Sequence, residues 1–218
     1  MPNRRLDPKT TALVLIDLQN DALHPNGAYG RAGLTSELCG ALPGRLAPLA
    51  ELLRKRDGWI VATHMTILEG KRGEPLLTDH MRQLRPFLKR GDFKQGSWGH
   101  KMVDELGTAD LHIDKFAFSA FYMTALEWML RQIKIDTVLV AGLTTPISVA
   151  TTLRDAVLRD FKGIVISDGV ASFDAKQHRS ALAELAGMAP VKTCAEVSDL
   201  LAASSSPVSR VSSNLSHA

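Results

Sequence analysis

Three residues of different chemistry stand at the ends of three separate apolar or β-branched runs: Asp17, Lys115 and Ser148. A carboxylate can take a proton and return it, an ammonium can stabilise developing negative charge, and a hydroxyl at a turn is a candidate nucleophile. They are far apart along the chain, so they make a site only if the fold brings the ends of the three runs together. The stretch around Ser148 is the most informative. Residues 137–141 form a short β-branched run, the mark of a buried strand. Gly142, two threonines and Pro146 follow as a turn, and from Ser148 onward Val149, Thr152, Leu153, Ala156 and Val157 recur at helical spacing. A strand that turns tightly into a helix aims free backbone N–H groups, and the positive end of the helix, at whatever binds there.

The remaining elements must position these three. Residues 11–17 are a continuous apolar run closed by Asp17, as in a fully buried central strand. Residues 42–56 predict a helix with Pro43 near its start and Leu46, Leu49, Leu52 and Leu53 on its apolar face. Strands are expected at 59–64, 110–114, 163–167 and 191–193, and helices at 124–133, 175–185 and 195–201. The alternation predicts a three-layer α/β/α domain over residues 1–202, with a mainly parallel six-stranded sheet and the site at its carboxyl edge. Residues 65–109 show no sustained period. They read as a long functional excursion with one short helix near 78–84. Residues 203–218 contain seven serines and almost no core-forming side chains, which predicts a disordered tail.

Composition narrows the function classes. The 218 residues are 45% hydrophobic and 22% charged, ordinary for a soluble domain. A net charge of +3 without a basic run gives no indication of nucleic acid, and no apolar run approaches a membrane span. The N-terminal residues lack the apolar core of a signal peptide, so a cytoplasmic protein is expected, with Cys39 and Cys194 as reduced thiols. There is no Gly-x-Gly-x-x-Gly or P-loop sequence, so no cofactor is expected.

Taken together, Ala-Leu-Val-Leu-Ile-Asp-Leu-Gln-Asn-Asp (12–21), Lys115 with Ser119-Ala-Phe121, and the stretch 140–156 resemble the isochorismatase-like hydrolases, also called the cysteine hydrolase superfamily. The resemblance covers roughly residues 8–202. Gly-Ser-Trp (96–98), Val-Asp-Glu-Leu (103–106) and Thr-Leu-Arg-Asp (152–155) look most like its ureidoacrylate amidohydrolase branch, which cleaves a terminal carbamoyl group from nitrogen. The resemblance implies that Asp17 is the general base and proton shuttle, and that Lys115 keeps the site positive. It also implies a cis peptide at Leu143–Thr144, with the N–H groups of Thr144 and Ser148 as an oxyanion hole. A small amide or ureido substrate is implied, and a dimer or tetramer, for which residues 65–109 are a plausible contact surface.

One position departs from the pattern. The family's amidases carry cysteine where this chain has Ser148, and a serine hydroxyl is far less acidic than a thiol. No Gly-x-Ser-x-Gly elbow or triad histidine accompanies it. Three readings stand: an engineered replacement of the cysteine, a natural serine in a member that needs no covalent intermediate, as in isochorismatase-type vinyl-ether hydrolysis, or a chain that binds without catalysis. Asn20, Trp98, Phe121 and Thr145 are candidate substrate contacts. Each has a structural alternative: for Asn20 the shaping of its loop, and for Thr145 the capping of a helix. His64 ends a strand, where satisfying a backbone carbonyl is favoured over contacting ligand. The metal-binding members use an Asp and two His, and residues 57–100 offer no Asp-x-His and no His pair at helical spacing, so no metal is expected.

Overall fold

The computed structural model describes residues 5–203, so the serine-rich tail lies outside the described residues except for Ala203. Strands β1 (Thr11–Ile16), β2 (Trp59–Met65), β3 (Leu111–Lys115), β4 (Thr137–Leu143), β5 (Lys162–Ala171) and β6 (Val191–Lys192) form one sheet in the order β3-β2-β1-β4-β5-β6. Every pairing is parallel. In such an order the chain winds outward in both directions from β1 and β4. Their carboxyl ends therefore flank the crevice where open α/β sheets bind ligands.

Short helices α1 (Asn20–Leu23), α2 (Ala28–Arg31) and α3 (Glu37–Gly40) lead into α4 (Leu42–Arg54). Alternation along β1 splits the core between two faces. Leu13 and Leu15 face Leu42, Leu46, Leu49 and Leu53 of α4 and Val197 and Leu201 of α9 (Cys194–Ala202). Ala12, Val14 and Ile16 face Leu126 and Leu130 of α6 (Leu126–Gln132), Leu153 and Ala156 of α7 (Ala150–Leu158), and Leu185 of α8 (Ala175–Ala186). Side-chain caps fix the starts of the later helices. Asp174 accepts from the N–H groups of Lys176 and Gln177, and Thr193 forms a capping box with Glu196.

Several boundaries differ from the sequence reading. β5 runs ten residues, well past the five predicted, because Asp168 and Gly169 interrupt the apolar pattern without ending the pairing. The helix predicted from Ser148 begins at Ala150 instead. Before it, Thr145–Val149 makes one wide π-type turn, closed by Val149 N–H donating to Thr144 O at 3.1 Å. Pro146 sits inside that turn and has no N–H to donate to a tighter one.

The excursion after β2 has little regular structure beyond α5 (Asp79–Leu84), capped by Thr78. It is nonetheless tied to the sheet. Gln19 donates to the carbonyls of Met65 and His100 and accepts from Met65 N–H at 2.8 Å. The Asp21 carboxylate accepts from the N–H groups of Ala28 and Phe93. Gly99 passes so close that a Cβ there would lie 2.1 Å from an Asp21 oxygen. The Leu-Gln-Asn-Asp stretch after β1 is therefore the anchor for the excursion, which it holds over the carboxyl edge of the sheet.

Candidate active site

Register brings the distant residues together. Ile16 pairs with Thr63 on one side and with Gly142 on the other, while Met65 pairs with Lys115. Asp17, Lys115 and the β4 turn thus emerge at one level of the sheet. Asp17 has φ of 54°, a left-handed conformation that aspartate tolerates better than most residues and that clusters at functional positions. Gly142 has φ of 116°, and a Cβ there would meet Ile16 O at 2.1 Å. Only glycine lets β4 run this close to β1 at the mouth of the site.

Lys115 is the largest fully buried side chain among the described residues. Its Nζ lies 2.7 Å from Asp17 Oδ2 and donates to Ala117 O at 3.1 Å. The other Asp17 oxygen accepts from the Thr63 hydroxyl at 3.1 Å. A buried ammonium is tolerable only with a counter-charge and hydrogen bonds, and here it has both. Thr63 was not anticipated from the sequence, where it is an ordinary strand threonine.

Asp17, Thr144 and Ser148 open on one cavity. Its other walls are mainly apolar, including Leu88, Phe93, Leu143 and Phe173. The Leu143–Thr144 peptide bond is cis. The Thr144 hydroxyl oxygen is buried and has no hydrogen-bond partner among the described residues, a polar group in reserve beside the cavity. Among the described residues the Ser148 hydroxyl has no imidazole as a hydrogen-bond partner, and His178 bonds to Thr145 Oγ1 at 2.8 Å. Neither cysteine substitutes. Burial pushes the Cys39 thiol up to about 11 and the Cys194 thiol to about 12, so both stay protonated near neutrality.

The four candidate substrate contacts lie elsewhere. Phe121 is buried in the core on the other face of the sheet, with its ring against Phe161. Phe118, three residues earlier, lines the cavity instead. Thr145 is fully buried and bonded to His178. Asn20 donates to Trp98 O at 2.9 Å and shapes its loop, while Trp98 is about half exposed and meets the His24 ring edge-on. His64 sits between the His100 carbonyl and the His112 ring, each 3.0 Å away. Among the described residues, no group of three His, Cys, Asp or Glu is arranged to hold a metal ion.

Sequence reasoning missed Tyr29, Met81, Arg85, Leu88, Phe93 and Phe173 as cavity walls. They come from separate loops with no shared period, so no local pattern marks them.

The chain has known relatives. The isochorismatase domain description matches residues 11–200. A ureidoacrylate amidohydrolase RutB from Methylobacterium radiotolerans is 30% identical over 195 residues, covering 83% of this chain and 74% of that protein. Among solved structures, a cysteine hydrolase from Pseudomonas syringae pv. phaseolicola superposes with a TM-score of 0.79 at 24% identity, covering 91% of this chain and 95% of that one. N-carbamoylsarcosine amidase from Thermoplasma acidophilum does so with a TM-score of 0.66 at 26% identity, covering 85% and 96%. With a domain match along nearly the whole described chain and the same sheet beneath it, this protein belongs to the isochorismatase-like hydrolase superfamily.

Proposed function

We propose that this chain is built to hydrolyse a non-peptide C–N bond in a small ureido or amide compound. The observation that carries the reading is the buried Asp17–Lys115 pair at 2.7 Å, whose carboxylate opens on the same cavity as Thr144 and Ser148. In this reading the nucleophile at position 148 attacks the carbonyl carbon. The backbone N–H groups of Thr144 and Ser148 stabilise the oxyanion. Asp17 takes the nucleophile's proton and delivers it to the leaving nitrogen as the C–N bond breaks; water then attacks the acyl-enzyme. Lys115 stabilises the anionic forms. The ureidoacrylate amidohydrolase and N-carbamoylsarcosine amidase relatives support a carbamoyl substrate.

Ser148 sets the expected rate. A thiol can be ionised by a lysine and a carboxylate, whereas a serine normally requires a base such as histidine. Among the described residues no histidine is bonded to Ser148, so the chain as it stands is slow or inactive in C–N hydrolysis. The same observation favours a second reading, vinyl-ether hydrolysis in which Asp17 protonates the substrate and no covalent bond to position 148 forms.

The test is the Ser148→Cys variant assayed for ammonia release from ureido acids and simple amides. Appearance of turnover supports C–N hydrolysis. If no compound is hydrolysed faster than by the Ser148 form, the proposal fails.

A further inference from the structure

Besides Asp17, which Lys115 neutralises from behind, one charged residue lines the cavity. Arg85, the C-cap residue that follows α5, lines it together with Tyr29, Met81 and Phe118. Its Nε donates to Tyr29 Oη, its Nη1 lies 3.3 Å from the Met81 sulfur, and its Cζ stands 5.7 Å from the Phe118 ring centroid. Among the described residues no carboxylate is paired with it. By contrast, Arg31 meets Asp92, and Arg159 meets Glu127 and Asp155.

A guanidinium offers five N–H donors. One is used on a phenol and one on sulfur, a weak acceptor, while the aromatic face takes none. Asp17 cannot supply the missing counter-charge, because Lys115 already neutralises it. The cavity is therefore left with one excess positive charge against walls that are mostly apolar. Tyr29 completes the picture. Its oxygen accepts from Arg85, so its own proton is free to be donated into the cavity. Burial raises the phenol above its ordinary value, despite the opposing pull of Arg85, and keeps that proton in place. Phe173 stacks on Tyr29 with ring centroids 4.8 Å apart and holds the ring in position.

We propose that Arg85 and Tyr29 form a carboxylate clamp, so that the substrate is a small ureido or amide compound carrying a carboxylate in addition to the group that is cleaved. The identity of the cleaved group rests on the function proposed above; the clamp rests on the cavity alone. An anion here gains charge-assisted hydrogen bonds from a planar fork and a phenol in poorly solvated surroundings. Leu88 and Phe93 leave apolar surface for a short hydrocarbon spacer.

The slow Ser148 form suits an equilibrium test. Calorimetric titration with 3-ureidopropionate and with its uncharged amide, 3-ureidopropionamide, compares the two ligands. The acid is expected to bind about tenfold or more tightly, the scale of one charged hydrogen bond. Arg85→Gln abolishes the preference by weakening the acid alone, and Tyr29→Phe reduces it. Arg85→Lys, which keeps the charge, retains part of it and guards against a folding defect in the glutamine variant. Equal binding of the two compounds, binding of neither, or an unchanged preference in Arg85→Gln overturns the clamp. The two proposals fail separately. Turnover of uncharged ureido compounds by Ser148→Cys that is indifferent to Arg85→Gln would overturn the clamp and leave C–N hydrolysis standing. Acid-selective binding without turnover after Ser148→Cys would do the reverse.

Discussion

Replacing Lys115 by methionine keeps most of the length of the side chain and removes its charge. In the folded protein Asp17, only 8% exposed, would then lose its counter-ion, and the Ala117 carbonyl would lose its donor. Breaking a buried pair from one side destabilises by about 3–5 kcal/mol, because the remaining charge stays buried and unpaired. For a chain of this size each kcal/mol shifts the midpoint by roughly 2–4 °C, so Tm should fall by about 6–20 °C. The double variant Asp17→Asn with Lys115→Met removes both charges and should recover most of that loss, since the desolvation of an unpaired carboxylate disappears. Differential scanning calorimetry on the four forms gives the coupling directly. A single-variant loss below about 1 kcal/mol, the size of an exposed ion pair, would refute the claim that this pair is buried and mutually dependent. So would a double variant as unstable as the sum of the single ones.

Gly142→Ala should destabilise by more than about 1 kcal/mol, since φ of 116° and the contact with Ile16 O both exclude a Cβ; an unchanged urea midpoint would contradict it. Burial holds His64 and His100 below the ordinary imidazole value, although Asp114 pulls His100 the other way. The unfolded chain therefore binds more protons as pH falls through about 6.5, and stability should drop between pH 7 and 5.5; a flat or rising urea midpoint over that window would contradict it. Trp128, Leu158 and Met123 are exposed apolar side chains on or beside α6 and α7, and association of two or four copies would cover such surface. Sedimentation of a dilute sample as a monomer would remove the oligomer from the account.

The frame of the site was legible because it depends on patterns that local sequence records. A buried central strand must be apolar along its length, so the run to Ile16 pointed to Asp17 as the residue at its end. The β-branched run to Ala141, with its glycine turn, marked the elbow. What the sequence could not show were side chains brought together by the excursion. Arg85 and Tyr29 are separated by 56 positions and meet between two segments whose backbones both bond to the Asp21 carboxylate, at Ala28 and Phe93. Nothing in the spacing of either residue reports that contact. Phe121 was misplaced for a related reason: an aromatic near a strand end can serve either face of the sheet, and the turn between Lys115 and Phe121 decides which. The π-type turn at Thr145–Val149 was hidden because its residues also fit the helix that follows.

The central claim is that the residue at position 148 attacks the substrate's carbonyl carbon with Asp17 as its base. Intact-mass analysis of the Ser148→Cys variant, quenched during reaction with a ureido acid, tests it most directly. The account predicts an acyl adduct on the substituted residue that forms quickly and then clears. With Asp17→Asn added, the adduct should not form. An adduct that forms equally well without the Asp17 carboxylate, or none with any ureido acid or amide, would contradict it.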